Sequence, residues 1–532
     1  MNDKANPSTR SGLPYARKRI VARLLFAATT GWGYRCMAIV CNLVNISLFF
    51  RFLPKEVVGL WFLMLGAQTF LGLFDFGFGQ TLQRRVAYFT AESGVSPDIE
   101  PDENTRLNIL GLLSLARRVY VLISMLIFVV ILVVGWIYFS SLKLSPSALS
   151  EFRLAWIVMS LGYAANTWGF MVESSLNGLG DIGWANVVNA VAQVATLIAN
   201  WIVLTLGLGL QALAIIWLFK GLFIRVTGWA IVKIRHKWVH LHRASLTIQA
   251  FQDMVPPSLR WWLALVGYFM MAGVGQYLIA RFLGAAALPD YAATYSALTA
   301  VQGAMVGIVA AGSPLYSQLL KAGENAYVRE TLLTLTRYSL GAIALAFGFL
   351  GVWGRQVFEF WLGKGHFVGY PILGILIVLM FAEAHQGMLQ AACVAAEKLD
   401  FYKAVLVGGI LTLGLSFILI PKFGLLGAAI SALAGQATTQ DWVTPKLAMR
   451  VLQIRYIDGL KRVLIPGLSL GGAVFFIGMT LKAVHVPTVF GIAMTFIGTI
   501  VISFLFYRKF LGTIRMRFQV ARANQKSHAS IQ

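Results

Sequence analysis

Arg35 sits near the middle of an apolar run spanning residues 25–50, and Asn42, seven residues later, falls on the same face of a helix. A guanidinium held in hydrocarbon is costly unless it faces a cavity or a partner. Its permanent charge and paired donors suit phosphate recognition better than an ammonium does. The alternative is a structural ion pair with a neighbouring carboxylate. Glu383, in the run 370–394, shares a face with Gln386 and Gln390 and is the candidate ion-coupling group. Asp75, which shares a face with Gln68, is a second coupling candidate, with helix capping as its competing role; Glu173 has the same alternative. Lys220 and Arg225 occupy one run, either facing a substrate path or snorkelling to the inner surface. No phosphate loop of the form G-x-x-x-x-G-K-[ST] and no H-E-x-x-H are present, which argues against ATP hydrolysis or zinc peptidase chemistry. His236, His240 and His242 lie in a basic interfacial segment where headgroup contact or solvation outweighs metal binding, and Cys36, Cys41 and Cys393 all fall in apolar runs. No catalytic residue, metal or cofactor is expected.

The elements that would position these groups are apolar runs of about 20 residues, each able to cross a bilayer as a helix. They fall at 25–50, 58–79, 119–139, 154–176, 184–206, 210–232, 260–281, 291–312, 332–353, 370–394, 403–420, 424–445, 463–482 and 488–507. The expected fold is therefore an all-α polytopic membrane protein of about 14 transmembrane helices. Composition agrees: 58% hydrophobic and 12% charged residues in a chain of 532 are more apolar surface than a soluble fold can bury. The net charge of +23 comes from basic residues flanking the runs, which points to anionic headgroups and not to nucleic acid.

Of the 44 Lys and Arg, only Arg51, Lys55, Lys143, Arg153, Arg281, Arg355, Lys364, Lys422 and Lys482 fall in the loops opposite the N-terminal side, which places both ends inside. Arg51-Phe52-Leu53 after the first run matches Arg281-Phe282-Leu283 after the seventh. The turn Gly207-Leu208-Gly209-Leu210 likewise corresponds to Phe423-Gly424-Leu425-Leu426. These matches favour two six-helix bundles in parallel orientation plus two C-terminal helices. The resulting division is a cytoplasmic tail at 1–24, bundles at 25–233 and 260–445, an amphipathic linker at 234–259, two further helices at 446–507 and a basic tail at 508–532. The longest loop, about 80 to 118, contains TAESGVSPDIEPDENTR at 90–106, which reads as polar, acidic and flexible, and 235–254 reads as an amphipathic helix on the inner surface.

Several segments resemble the polysaccharide flippase branch of the multidrug, oligosaccharidyl-lipid and polysaccharide export superfamily. They are VVGLWFLMLGAQTFLGLFDFGFGQTLQRRVA at 57–87, ESSLNGLGDIGWANVVN at 173–189, FEFWLGKGH at 358–366 and FILIPKFGLLGAAISAL at 417–433. The resemblance implies a flippase moving a polyprenyl-diphosphate-linked sugar repeat across a bacterial inner membrane. Proton or sodium coupling enters by analogy, and glycosyltransferases and a polymerase would act beside it. On that reading Arg35, Lys220 and Arg225 meet the diphosphate, and Asn42, Gln276 and Gln302 meet sugar hydroxyls. The rivals are a multidrug/cation antiporter of the same fold, which calls for an acidic or aromatic cavity, and a peptidoglycan-precursor flippase. A membrane glycosyltransferase or polymerase would need outer loops longer than 140–151 and 354–369.

Overall fold

In the computed structural model, which describes residues 13–75, 78–92, 102–239 and 255–529, every regular element among the described residues is a helix. The chain runs through α1 (Leu13–Phe52), α2 (Lys55–Gly66), α3 (Gln68–Phe74), α4 (Phe78–Glu92), α5 (Glu103–Ser140), α6 (Pro146–Gly178), α7 (Ile182–Thr205), α8 (Leu210–Arg235), α9 (Val255–Tyr268) and α10 (Val274–Leu283). A π-helical turn, Phe269–Gly273, joins the last two. Then follow α11 (Leu288–Ala310), α12 (Ser313–Lys321), α13 (Asn325–Leu362), α14 (Tyr370–Ala395), α15 (Tyr402–Ala437), α16 (Gln440–Val451), α17 (Tyr456–Ala483) and α18 (Thr488–Ala529).

Among the described residues, twelve helical segments are long and apolar enough to cross a membrane. One of them, Tyr402–Val451, reverses direction at Gly424, whose φ of 60° only glycine adopts freely. Across this reversal a Cβ on Gly427 would lie 2.1 Å from the Leu419 carbonyl oxygen, so the two arms touch. Separating the arms and adding the 33-residue α6 brings the membrane-length segments to fourteen, as the apolar runs predict. The chain is a multi-pass membrane protein.

The helix ends follow local rules. Asp102 caps α5 by accepting from Thr105 N at 3.4 Å, and Ser145 caps α6 from Ala148 N at 3.3 Å ahead of Pro146. Glu56 of α2 accepts from Ser145 Oγ at 2.6 Å, and Glu151 of α6 accepts from Leu210 N at the start of α8 at 3.1 Å. Arg51 and Arg281, the paired arginines of the internal match, each lie in the last turn of a helix, α1 and α10. Gly207 and Gly424, in the paired turns, both take positive φ.

Three expectations need correction. The segment 58–79 is not one straight helix; it breaks at Ala67 and again at Asp75, and carbonyls around the first break are taken by side chains, with Tyr277 Oη donating to Leu63 O at 3.0 Å and Tyr163 Oη to Met64 O. The interval 80–118 is largely helical, because α4 and the polar first turns of α5 extend the flanking helices, although residues 93–101 lie outside the described ones. Residues 236–239 leave the helical conformation at the end of α8, and the rest of the expected amphipathic segment, 240–254, lies outside the described residues along with His240 and His242. The basic stretch after 508 continues α18 as helix to Ala529.

The chain forms two compact units, Met1–Ala293 with Val405–Ala428, and Thr294–Ala404 with Ala429–Gln532. In the first, α1 packs on α7, α7 on α8, and α6 against both α5 and α8. In the second, α13 packs on α14 and α17, and α14 on α16.

Candidate functional site

The polar interior of the first unit is built by α1, α6, α7 and α8. Arg225 of α8 is 7% exposed and reaches α6, where Nη2 donates to Asn166 O and to Asn166 Oδ1, both at 3.2 Å. Its Nη1 lies 3.9 Å from Glu173 Oε2, and its Nε has no partner. The side chain passes directly over Gly169, and Gly221 of α8 lies against the Asn166 amide, so glycines on both helices make room for the crossing. One turn back along α8, Lys220 Nζ donates to Gln193 Oε1 of α7 at 2.5 Å. Two cations thus share this interior with one carboxylate, Glu173, which is 48% exposed. Neutral amides, not counter-charges, hold Lys220 and most of the Arg225 fork. Buried amides also join α1 to α7: Asn200 Nδ2 donates to Asn45 Oδ1 at 2.8 Å.

Arg35 and Asn42 lie on the exposed side of α1. The Arg35 guanidinium sits 5.9 Å from the Trp32 ring centroid, and among the described residues no carboxylate pairs with it. Gln276 of α10 faces the broken second helix, its Oε1 3.2 Å from where a Gly66 Cβ would stand. Asp75 accepts from Tyr120 Oη at 2.5 Å and from Gly79 N at 3.2 Å, so it caps the start of α4 while half-buried against α5.

Of the expected substrate group, Gln302 alone belongs to the second unit. There, on α11, it is 7% exposed and its amide lies within hydrogen-bonding reach of Glu383 on α14, as does that of Gln436 on α15. The two coupling candidates, Glu383 and Asp75, therefore reside in different units. Glu383 Oε2 is buried without a partner, as are His385 Nε2, Gln436 Oε1, both polar atoms of the Gln440 side chain and Asp441 Oδ1. These groups gather where α15 gives way to α16 at Thr438–Thr439. Sequence reading singled out Glu383 but passed over Asp441 and His385. Asp441 meets the same criterion, an ionisable residue inside an apolar run.

At the inner end of the first unit, Asp181 accepts from Arg235 Nε at 2.8 Å and lies 2.8 Å from His236 Nε2. Asp181 and His236 are 4% and 5% exposed, which corrects the expectation of a headgroup-facing His236. Burial raises the Asp181 carboxyl, but the His236 hydrogen bond and the Arg235 charge outweigh it and hold the group below the usual carboxylate range.

No family model and no curated relative matches the sequence. Solved structures match over most of the chain. The lipid II flippase MurJ in an inward closed conformation aligns with TM-score 0.65 at 12% identity, covering 92% of this chain and 100% of its own. An inward-facing multidrug resistance MATE family transporter of the MOP superfamily aligns at 0.60 and 14%, covering 81% and 95%. A MOP superfamily transporter from Pyrococcus furiosus, distinguished by the reverse polarity of its binding pocket, aligns at 0.53 and 15%, covering 84% and 96%. This chain shares the fold of these three structures.

Proposed function

We propose that this chain is a flippase that carries a polyprenyl-diphosphate-linked oligosaccharide across the bacterial inner membrane by alternating access. One observation carries the reading. Within helices of membrane length, Lys220 and Arg225 are held by the neutral groups of Gln193 and Asn166, and Arg35 stands on the exposed side of α1 with no carboxylate partner among the described residues. Cations embedded in hydrocarbon with so little counter-charge favour an anion as cargo. A diphosphate is such a cargo, and a guanidinium binds it through paired donors. The amides of Asn42, Gln276 and Gln302 supply hydrogen bonds for sugar hydroxyls, and Glu383, with Asp75 as the alternative, binds the proton or sodium ion that drives transport. Similarity to a lipid II flippase, whose name also specifies a lipid-linked cargo, supports the class. Glycosyltransferases and a polymerase would act before and after it.

The test is complementation. In a bacterium deleted for its own lipid-linked-oligosaccharide flippase, with its glycosyltransferases and polymerase intact, expression of this chain should restore surface polymer. Membrane-localised protein with no polymer, across strains making several repeat units, would count against the reading.

A further inference from the structure

The second unit holds a groove of about 860 Å³ between α13, α14, α16 and α17. Glycines decide its shape in two ways. Gly348 and Gly471 bring α13 and α17 together, a Cβ on the former standing 2.4 Å from the carbonyl oxygen of the latter. Gly374 of α14 and Gly472 of α17 line the groove, and a Cβ on either would meet nothing within 4 Å. These two leave open the width that side chains would otherwise fill.

The lining is apolar and aromatic, with Phe347, Phe381, Trp442 and Tyr456 among it, and Asp441 is its one charged residue. Two polar atoms at the α16 end are buried and unpartnered, Asp441 Oδ1 and His385 Nε2, and His385 as a whole is 5% exposed. The helix break itself does not need them. Thr438 Oγ1 donates to Ala434 O at 2.7 Å, Thr439 Oγ1 to Gly435 O at 2.6 Å and Trp442 Nε1 to Ala437 O at 2.6 Å, so the backbone of the break is served by its own side chains. Lys446, the closest cation on α16, rests over the Tyr456 ring at 5.8 Å and forms no ion pair with Asp441.

A carboxylate beside aromatic rings at one end of an apolar groove fits an ammonium attached to a hydrocarbon chain. An anionic prenyl diphosphate would be repelled there, and a neutral chain would leave the Asp441 oxygen unpaired. We propose that this groove binds a lipophilic ammonium amphiphile, with its head between Asp441 and the Trp442 and Tyr456 rings and its chain over Gly374 and Gly472. The site is separate from the anion-favouring groups of the first unit, and the proposal does not rest on the flippase reading.

The experiment is equilibrium binding of radiolabelled dodecyltrimethylammonium to the full chain in lipid nanodiscs. Binding should be saturable at one site. Dodecyl phosphate and dodecanol should bind about tenfold or more weaker, and Asp441→Asn should weaken the ammonium by a similar factor without affecting dodecanol. Gly472→Leu and Gly374→Leu, which fill open space and so leave packing intact, should abolish binding of all three probes while the unfolding temperature stays at the parent value. Equal affinity for ammonium and phosphate, or parent-like ammonium binding by Asp441→Asn or by both leucine variants, would overturn the proposal. Affinity that falls when phosphatidylethanolamine replaces phosphatidylglycerol in the discs would assign the groove to a lipid amine instead, and equal affinity in both supports the ammonium amphiphile.

Discussion

Gly169 lies directly beneath the guanidinium of Arg225: a Cβ at position 169 would fall 1.5 Å from Arg225 Nε. The α6–α8 crossing is thus close enough for Arg225 to reach Asn166 and Glu173 because α6 has no side chain at that point. Gly169→Ala must displace the arginine, so we expect transport to fall with Arg225→Ala and to an equal degree. Gly33→Ala, on α1 with nothing within 4 Å of the added methyl, should transport as the parent does. Transport normalised to membrane protein level is the readout, and a Gly169→Ala protein that transports normally would show that Arg225 needs no fixed position.

Asp181 ties the α6–α7 turn to the end of α8. Its folded-state carboxyl lies below the ordinary range, so the stabilisation it gives is fully present above the unfolded value and is lost as pH falls through the folded one. Neutral and mildly acidic conditions should leave the inner end intact, with loosening only in strong acid. Asp181→Asn should remove that acid-dependent step and cost about 2–3 kcal/mol at neutral pH, because it leaves the buried His236 short of its partner. Arg235→Ala should cost about 1 kcal/mol or less, since Arg235 is a third exposed. Thermal unfolding across a pH series, with hydrogen exchange at 232–239, checks both.

Glu383 and Asp75 differ in how their oxygens are used. Asp75 accepts from Tyr120 Oη and Gly79 N, whereas Glu383 keeps one buried oxygen unpartnered. We expect Glu383→Gln to abolish the dependence of transport on an imposed proton or sodium gradient while protein level holds. Asp75→Asn and Tyr120→Phe should instead lower stability by about 1–3 kcal/mol, since each leaves a buried group short of a hydrogen bond. The decisive comparison is transport with and without the gradient for all three variants. Gradient dependence lost in Asp75→Asn and kept in Glu383→Gln would reverse the two roles.

What the sequence disclosed follows from the range over which each signal acts. Apolar runs of membrane length are local and unmistakable, so the all-helical class and the fourteen segments were legible, as were the turns at Gly207 and Gly424. The break at Ala67 was not, because the donors that stabilise it, Tyr163 and Tyr277, come from distant helices; the break at Thr438–Thr439, served by Thr438, Thr439 and Trp442 themselves, falls inside a single apolar run. Helix continuing through 78–92 was hidden by its polar composition, although Asp102 with Thr105 carried a capping signal for the next helix. Pairings such as Arg225 with Asn166 or Glu383 with Gln302 join residues far apart in the chain. Ionisable residues could be found singly, but not their partners.

The account rests on an anion being carried, and Arg35 is its most exposed cation. The direct measurement is translocation of a fluorescent polyprenyl-diphosphate disaccharide across proteoliposomes holding the parent, Arg35→Lys or Arg35→Ala, with protein content matched. The account predicts fast translocation by the parent, clear impairment by lysine, which keeps the charge but loses the paired donors, and a rate near that of empty vesicles for alanine. Translocation by Arg35→Ala at the parent rate, or none by a folded parent under an imposed gradient of either ion, would contradict it.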